Sequence, residues 1–440
     1  MSLRFGTDGI RADARDVLTA PVVAALGRAG AEVLGADGLV VGRDTRESGP
    51  SLAAALHAGV QAAGGGSVDL GVVPTPAVAL WCAQENVAGA VVSASHNPWH
   101  DNGIKFFAAG GRKLSDDVQD RIQVRFDQLL VSGDTPVQAQ GDDRHAAAVI
   151  RHVDNVVGSL QGRSLEGLRV VADAANGAAS TVAASVFEQL GADVTVIHAD
   201  PNGRNINDDC GSTHPATLQE VVRETGADLG VAFDGDADRL VAVDGAGEIV
   251  DGDQIIAICA LDRQQRGTLA GDAVVVTVMT NLGFRRSMAD AGIRVIDTKV
   301  GDRYVLEALA SGGYSLGGEQ SGHVIFHEIA STGDGVLSAV QLLDVVVRTG
   351  RTLGDLAESA MTRLPQVLCN VRVADRPDDV DTALAPFVAA ATERMADRGR
   401  VLIRPSGTEP LIRVMVEAET DEEAQQEADA LVAAVESLFS

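Results

Sequence analysis

Three segments of the chain share one layout, and this repetition constrains the fold more than any other feature. Each is an apolar, strand-like run that leads into a loop of polar or small residues and then into a helix rich in Ala or Gly, at residues 39–44, 168–173 and 273–277. Strand-like and helix-like runs alternate along most of the sequence, which favours α/β units with parallel strands and right-handed crossovers. The sequence therefore predicts a weak threefold repeat of α/β units.

The length and the C-terminal part of the sequence predict several domains. A chain of 440 residues exceeds what one core usually holds, since domains span about 100 to 200 residues. In the C-terminal part the order strand, helix, strand, strand, helix favours a small α+β domain. We therefore predict α/β domains at residues 1–148, 149–252 and 253–365, followed by an α+β domain at residues 366–440.

Charge and hydrophobicity limit the partners of the chain. The formal net charge is −27, and no block of Lys or Arg stands out that would follow a nucleic acid or an anionic membrane. The four cysteines form no Cys-x-x-Cys pair, so we expect reduced, structural thiols. The N-terminus has no apolar core of signal-peptide length, and no window reaches the about 18 apolar residues that span a bilayer. We therefore expect a cytoplasmic enzyme with neither nucleic acid nor membrane as its partner.

Ser95 stands between two strand-like runs, residues 89–93 and 103–107, in the stretch Ser-Ala-Ser-His-Asn-Pro. This position predicts a serine held by the backbone at a strand end. Two interpretations are open, an ordinary turn serine that bonds its own backbone and a nucleophile or phosphate carrier. A serine hydrolase would need an orienting acid and an oxyanion hole beside His96 or His100, and no Gly-x-Ser-x-Gly elbow surrounds the serine.

Three aspartates alternate directly after the strand-like run at residues 229–233, namely Asp234, Asp236 and Asp238. The carboxyl edge of an open α/β sheet is where ligands bind, and a set of oxygen ligands favours Mg²⁺ over zinc. An EF-hand is excluded because its sixth position would be Arg239 instead of glycine. An acidic turn exposed to solvent remains the alternative. Three carboxylates leave room on the ion for a phosphoryl oxygen.

A glycine-bearing segment offers a carboxylate, a hydroxyl and an imidazole within five residues, from Glu319, Ser321 and His323. This set suits hydrogen bonding to neighbouring sugar hydroxyls. A histidine near a strand end is a candidate general base near neutral pH. A hydrogen-bonded structural histidine is the alternative.

Two arginines flank a short polar loop near the C-terminus. Arg404 and Arg413 enclose Ser406, Gly407 and Thr408, which combine guanidinium groups, hydroxyl donors and a backbone that an anion can approach closely. We predict that this segment docks a phosphate that does not react. An Arg-rich turn without a ligand is the alternative.

The sequence lacks the motifs that two other classes of enzyme require. The sequence has neither a Gly-x-x-x-x-Gly-Lys-Ser/Thr loop nor a Gly-x-Gly-x-x-Gly fingerprint, which argues against a nucleotide-driven kinase and a dinucleotide oxidoreductase. A non-catalytic sugar-phosphate binding protein would keep the phosphate loop and the sugar loop but would not need the serine or the aspartates. All four motifs are present, which favours an enzyme.

Taken in chain order, the motifs resemble those of the α-D-phosphohexomutase superfamily over the full chain. They are Arg4-Phe-Gly-Thr-Asp-Gly-Ile-Arg11, Ser93-Ala-Ser-His-Asn-Pro98, Asp234-Gly-Asp-Ala-Asp-Arg239, Gly318-Glu-Gln-Ser-Gly-His323 and Arg404-Pro-Ser-Gly-Thr-Glu-Pro410. Within the superfamily, the opening motif, residues 298–303, Gln320 and residues 332–335 are similar to the branch that acts on amino-sugar phosphates.

The resemblance implies an α/β fold of three related mixed-sheet domains plus a smaller α+β C-terminal domain around a central cleft. It implies a phosphoserine at Ser95 that, with Asp234, Asp236 and Asp238, holds one Mg²⁺ ion. It also implies that the substrate, a sugar phosphate, is bound by a larger set of residues: Glu319, Ser321, Arg239, Arg404, Ser406, Gly407, Thr408 and Arg413.

The activity implied by the resemblance is the interconversion of glucosamine 6-phosphate and glucosamine 1-phosphate through a bisphosphate intermediate. Such an enzyme would supply UDP-N-acetylglucosamine synthesis, and glucosamine or glucose 1,6-bisphosphate would activate it. A sister activity on glucose or mannose phosphates is the alternative, and a homodimer is the assembly we consider. The catalytic residues beside Ser95 are predicted to be His323, Lys105, Arg11 and His96, with proton transfer assigned to the first two.

Overall fold

Four β-sheets organise the residues that the computed structural model describes, which are 3–6, 8–35, 38–132, 136, 138–373, 379–405 and 411–439. Each of the four predicted domain ranges contains one of these sheets. By packing alone the chain separates into two units, residues 1–279 with 292–360 and residues 280–291 with 361–440. The four domain boundaries therefore stay a prediction. No helix of the described residues is both long and apolar enough to cross a membrane.

The first sheet has a parallel centre and antiparallel strands on one side. Its strands are β1 (Ile10–Asp13), β2 (Gly38–Arg43), β3 (Gly66–Val72), β4 (Ala88–Val92), β5 (Asp101–Ala108), β6 (Arg112–Lys113) and β7 (Asp142–Asp143). The strand order is β1-β5-β4-β2-β3-β7, with β6 paired to β5. The pairs of β2 with β3 and β4 are parallel, whereas β5 is antiparallel to β1 and β4. The strands predicted around Ser95 are confirmed to within one or two residues.

Helices cover this sheet: α1 (Ala20–Leu34), α2 (Gly49–Ala62), α3 (Thr75–Glu85), α4 (Asp116–Ser132) and α5 (His145–Gly158). The core includes fully buried Leu26, Leu56 and Phe126, and each such side chain contributes roughly 1.5–3 kcal/mol relative to exposure. Glycine lets α1 and α2 approach closely, because a Cβ at Gly59 would lie 2.1 Å from the carbonyl oxygen of Ala24.

The second and third sheets repeat part of the first. The second contains β8 (Arg169–Asp173), β9 (Asp193–Ile197), β10 (Leu229–Phe233), β11 (Leu240–Asp244) and β12 (Ile249–Val250), with α6 (Ala183–Gln189) and α7 (Ala216–Thr225). The third contains β13 (Ala273–Thr277), β14 (Arg294–Thr298), β15 (Leu316–Gly318) and β16 (Val324–Phe326). Its region of the chain also holds α8 (Gly252–Gln265), α9 (Leu282–Asp290), α10 (Asp302–Gly312), α11 (Gly335–Thr349) and α12 (Leu353–Ala360). Of these helices, α9 belongs to the second unit.

The predicted threefold repeat is confirmed by strand order. The sequence β5-β4-β2-β3 in the first sheet corresponds to β11-β10-β8-β9 in the second and to β16-β15-β13-β14 in the third. In each case three strands are parallel and the first named is antiparallel to its neighbour. The loops that follow β4, β10 and β15 therefore occupy the same place in three sheets, at the carboxyl edge of a parallel strand where ligands bind.

The C-terminal region is the predicted small α+β fold. It consists of β17 (Gln366–Arg372), α13 (Val380–Met395), β18 (Arg400–Pro405), β19 (Leu411–Glu417) and α14 (Asp421–Phe439). The three strands are antiparallel in the order β17-β19-β18. Side chains from one face of this sheet and from both helices form its core, including Val371, Leu384, Val414 and Leu431. All five elements are present in the predicted order.

Candidate active site

The three equivalent loops meet, and their polar side chains contact one another. The hydroxyl of Ser95, after β4, donates to Oδ2 of Asp234, after β10, at 2.6 Å. From the loop after β15, Nδ1 of His323 lies 3.7 Å from Oδ1 of Asp238. All four side chains are buried. The fold thus brings the serine, the aspartates and the histidine, which are far apart in sequence, into one site.

The backbone of Ser95 adopts φ of 53°, in the left-handed region that costs a non-glycine residue of order 1 kcal/mol. Its amide donates to Oγ of Ser93 at 2.9 Å, and the hydroxyl of Ser93 donates to Oδ2 of Asp44 at 2.5 Å. Asp44 also forms a fully buried ion pair with Arg46 at 2.8 Å. The sequence alone predicts no role for these three supporting residues. Their signal was present, since Asp44 and Arg46 lie at the carboxyl end of a predicted strand.

The three aspartates fit a divalent cation. One carboxylate oxygen from each lies within 4.8 Å of the others. Oδ1 of Asp236 and Oδ1 of Asp238 are buried without a hydrogen-bond partner among the described residues, which is costly unless another group pairs with them. Burial, together with the neighbouring carboxylates of Asp238 and Asp236, raises the pKa of Asp234 to about 8. A bound cation would remove both penalties, and ligation by oxygen alone suits Mg²⁺.

Lys105 is a buried cation among carboxylates. Its Nζ lies 2.7 Å from Asp236, 3.4 Å from Asp238 and 3.1 Å from Asp8. Burial alone would lower the pKa of Lys105, but these three carboxylates outweigh burial and raise it well above its ordinary value. The side chain is therefore a charged hydrogen-bond donor at neutral pH. Its predicted share in proton transfer stays a prediction.

Six ionisable side chains, basic and acidic in turn, form a closed ring at the site. In order around the ring they are Lys105, Asp8, Lys113, Asp302, His323 and Asp238. Lys113 lies 2.9 Å from Asp302, and Nε2 of His323 lies 3.6 Å from the same carboxylate. Asp8 and Asp302 lie within the motifs at residues 4–11 and 298–303, but the sequence alone predicts no role for them or for Lys113.

Hydrogen bonding defines the state of His323. The amide of Gly333 donates to Nε2 at 3.1 Å, so this nitrogen carries no proton and Nδ1 carries one toward Asp238. Burial alone would lower the pKa of His323, but Asp238, Asp302 and Glu319 outweigh it and raise it. Protonation of Nε2 would therefore have to break the contact with Gly333. The predicted role of His323 as general base stays a prediction.

His96, Arg11 and Arg239 surround the serine. Nδ1 of His96 lies 3.3 Å from Oγ of Ser95, and burial with the charges of Arg239 and Arg11 lowers its pKa to about 4. Arg11 forms an ion pair with Asp8 at 2.9 Å and donates to the carbonyl of Ala94 at 3.4 Å. Nε of Arg239 is buried with no hydrogen-bond partner among the described residues. A neutral imidazole and two cations thus flank the serine.

The loop after β15 is held tightly at Glu319. Oε1 of this carboxylate accepts a hydrogen bond from the amide of Gly301 at 2.9 Å. Gly322 has φ of +90°, and a Cβ there would lie 2.0 Å from the carbonyl oxygen of Leu240, so only glycine fits. Ser321, in contrast, is exposed, which leaves its hydroxyl available to a ligand.

The predicted phosphate loop lies in the second unit. Arg404 and Arg413 are paired across β18 and β19, so their side chains project from the same face of the sheet. Nε of Arg413 is buried without a hydrogen-bond partner in the part of the chain that the structure describes. The other predicted members of this loop, Ser406, Gly407 and Thr408, lie outside the described residues.

Four family models match the chain, all from phosphoglucomutase/phosphomannomutase. The alpha/beta/alpha domains I, II and III match residues 2–130, 149–247 and 251–364, and the C-terminal domain matches residues 368–434. Together these matches cover most of the sequence.

Three curated relatives are similar along nearly their whole length, and each is named phosphoglucosamine mutase. The relative from Frankia alni is 53% identical over 99% of this chain and 98% of its own. The relative from Moorella thermoacetica is 51% identical over 97% of both chains. The relative from Rhodococcus jostii is 49% identical over 100% of both.

Solved structures share the fold. A phosphoglucomutase/phosphomannomutase family protein from Burkholderia thailandensis has a TM-score of 0.81 at 28% identity, over 98% of this chain and 97% of its own. N-acetylphosphoglucosamine mutase from Aspergillus fumigatus, in complex with GlcNAc-6P and magnesium, has a TM-score of 0.72 over 99% of this chain and 96% of its own. At 19% identity, the second likeness concerns the fold alone.

Proposed function

From the premise that this chain belongs to the phosphoglucomutase/phosphomannomutase family, we propose how its site interconverts glucosamine 6-phosphate and glucosamine 1-phosphate. The chain is a phosphohexomutase, an isomerase, and its relatives at 49 to 53% identity are phosphoglucosamine mutases. The observation that carries the proposal is the hydrogen bond of 2.6 Å between the Ser95 hydroxyl and Asp234. It joins a serine able to carry a phosphoryl group to a cluster of carboxylates able to hold a cation.

The reaction proceeds by two transfers through Ser95. In the first, the bond between phosphorus and Oγ breaks while the free hydroxyl of the sugar phosphate bonds to phosphorus, which yields a bisphosphate and a free serine. The bisphosphate turns around, and in the second transfer Oγ takes the other phosphoryl group. Such transfer depends mainly on positioning and on charge stabilisation. The supporting feature is the fixed direction of Oγ, which the buried hydrogen bonds around Ser95 provide.

We propose Mg²⁺ as the ion held by Asp234, Asp236, Asp238 and phosphorylated Ser95. When bound, it neutralises negative charge on the phosphoryl group. The protein itself supplies Lys105, Arg11 and Arg239 as further positive charge near the serine. Proton movement is proposed at Nδ1 of His96 for the Ser95 hydroxyl, and at Lys105 and His323 for the sugar hydroxyl.

The substrate contacts are also proposed. Glu319 and Ser321 would hold sugar hydroxyls, because one has a fixed carboxylate and the other an exposed hydroxyl. Arg239 would contact the substrate beside the serine. Arg404 and Arg413 would bind the phosphate that does not react, joined by the remaining predicted members Ser406, Gly407 and Thr408. A bisphosphate that turns around presents either phosphate to this anchor, so the anchor must accept both ends of the sugar.

Three further proposals concern conditions of activity. Glucosamine or glucose 1,6-bisphosphate would activate the enzyme by phosphorylating Ser95.

The cytoplasm is the proposed compartment, supported by four free cysteines, Cys82, Cys210, Cys259 and Cys369, since thiols persist in reducing surroundings. A homodimer is the proposed assembly, which light scattering of the purified protein tests.

Turnover measured on three substrates tests the proposed function. Purified protein with Mg²⁺ and a trace of sugar bisphosphate is assayed on glucosamine 6-phosphate, glucose 6-phosphate and mannose 6-phosphate. We expect the highest kcat/KM for the amino sugar. A higher kcat/KM for glucose or mannose phosphate would keep the mechanism but assign the sister activity, and no turnover of any of the three would refute the proposal.

A further inference from the structure

Two side chains bind the carbonyl of Ser95, and they lie in loops that follow strands of two different sheets. This carbonyl accepts hydrogen bonds from Nη2 of Arg46 at 2.8 Å and from Nδ2 of Asn207 at 2.9 Å. The same two nitrogens also reach the carbonyl oxygen of Asn97, at 2.8 and 3.2 Å. Arg46 follows β2 in the first sheet, whereas Asn207 follows β9 in the second. The loop of the nucleophile is therefore clamped from both sides.

This clamp completes the fixation of Ser95. Its amide is bonded to Ser93, and the clamp holds the carbonyl on the other side of the residue. A strained left-handed backbone persists only where its surroundings determine it. With both flanking peptide groups fixed, the direction of the Cα–Cβ bond is fixed as well, and Oγ points to Asp234.

Asn207 suits this role by its chemistry. An amide nitrogen that faces two carbonyl oxygens must be the donor end of the side chain, which sets its orientation without ambiguity. The backbone of Asn207 has φ of 57°, a conformation that asparagine tolerates better than most residues. The backbone N–H of Asn207 donates to the carbonyl of Ala175 at 3.0 Å. Gly235, between the metal-binding aspartates, packs against the same place, because a Cβ there would lie 2.6 Å from the Ser95 carbonyl and 2.9 Å from Nδ2.

We propose that Asn207 is a positioning residue for phosphoryl transfer, which acts through the Ser95 carbonyl to aim Oγ at Asp234 in both transfers. The inference rests on the proposed function only in that Ser95 carries the phosphoryl group. Arg46 shares the clamp, but it also forms a buried ion pair with Asp44 and donates to the carbonyl of Asp101. Replacing Arg46 would disturb the whole loop, so Asn207 allows the cleaner test.

The kinetic test compares Asn207→Ala and Asn207→Asp with a matched control, Arg204→Gln. The control removes the exposed ion pair of 2.8 Å between Arg204 and Glu47 and the contact of the Arg204 guanidinium with the Trp99 ring, which join the same two parts of the chain without a hydrogen bond to Ser95. For both Asn207 variants we expect kcat to fall between about 10-fold and 100-fold with KM nearly unchanged, because misplacement of reacting atoms affects the transfer step. The Asp variant should be at least as slow as the Ala variant, since it keeps the size but loses the donor.

A signal from the carbonyl itself separates this role from general destabilisation. Ser95 and His96 form the single Ser-His dipeptide of the sequence, so labelling with carbonyl-¹³C serine and ¹⁵N histidine yields one amide cross-peak that reports the Ser95 carbonyl. We expect its ¹³C shift to move in the Asn207 variants and to stay in place in Arg204→Gln.

The outcomes are distinguishable. Unchanged kcat in both Asn207 variants, an unmoved carbonyl signal, or an equal loss of kcat in the Arg204 control would each overturn the positioning role. Wild-type protein without mutase activity would instead refute the proposed function, while the carbonyl signal would still report the clamp. If Asn207→Ala does not fold, the Asp variant supplies both measurements.

Discussion

Lys113 forms a buried ion pair with Asp302, in which Nζ lies 2.9 Å from Oδ2. The first residue belongs to β6, and the second begins α10 beside the third sheet. Burial opposes the charge of Lys113, but Asp302 and Asp8 outweigh it and raise the pKa of the ammonium group. The pair therefore completes the ring, and the ammonium group of Lys113 stays charged.

Replacing Lys113 by methionine should destabilise the protein by about 3–5 kcal/mol, because it leaves two carboxylates buried with one partner fewer. The Tm of the earliest thermal transition measures this loss. The double variant that adds Asp302→Asn should regain part of it, since one of the two uncompensated charges is then removed. A double variant with a lower Tm than the single one would contradict this account of the ring.

Ser95→Ala should abolish mutase turnover, with kcat reduced at least about 1,000-fold, while the Tm stays near that of the wild type. Intact mass after incubation with the bisphosphate should show no added phosphoryl group. Ser51→Ala, in which an exposed hydroxyl in α2 is lost, serves as the matched control and should keep both activity and the added mass. Appreciable turnover by the Ser95 variant would remove this serine from its role.

The raised pKa of Asp234 predicts how pH changes stability. In the metal-free folded protein this carboxyl keeps its proton up to about pH 8, whereas its ordinary pKa is 3.8. Between these values the folded state binds more protons than the unfolded state, so the free energy of unfolding falls as pH rises. Mg²⁺ binds the ionised form, so the increase in Tm on adding Mg²⁺ should grow from pH 6 to pH 8.

The control for the pH experiment is Asp234→Asn, in which no proton competes with the ion at this position. Its response to Mg²⁺ should be weak and should change little with pH. A stabilisation by Mg²⁺ in the wild type that is equal at both pH values would argue against Asp234 as the titrating ligand.

Gly322→Ala should displace the loop that carries Glu319 and His323, because the new methyl group would meet the backbone of Leu240 at 2.0 Å. We expect a loss of kcat/KM of at least about 10-fold, as misplaced binding groups weaken transition-state contacts. Gly292→Ala is the control, since Gly292 also has positive φ, of 73°, but has nothing within 4 Å of its Cβ position. That variant should cost only about 1 kcal/mol of stability and no activity, and similar kinetics for both variants would contradict the steric argument.

The sequence was sufficient to predict the elements and loops whose signals are local. The strands that precede Ser95 and Asp234 are apolar runs followed by polar residues, a pattern that can be recognised in a single sequence. Strand β7 was not predicted, because two consecutive aspartates have no β propensity and pair with β3 only through the fold.

The partners within the site were harder to foresee. Asp302 is 189 positions from Lys113, and Asn207 is 112 positions from Ser95. The residue types do not predict these two contacts, because a lysine before a polar turn, such as Lys113, and an asparagine in a loop, such as Asn207, are usually exposed to solvent. Only the packing of segments from different sheets brings these residues together, and no single segment of the sequence indicates that packing.

The left-handed backbone of Ser95 also determines which amino acid can occupy this position. A threonine hydroxyl is chemically able to carry a phosphoryl group. At φ of 53°, however, a β-branched side chain is a conformational outlier. The backbone conformation of the loop therefore favours serine over threonine as the nucleophile. The two hydroxyls have similar reactivity, but only serine lacks a branch at Cβ.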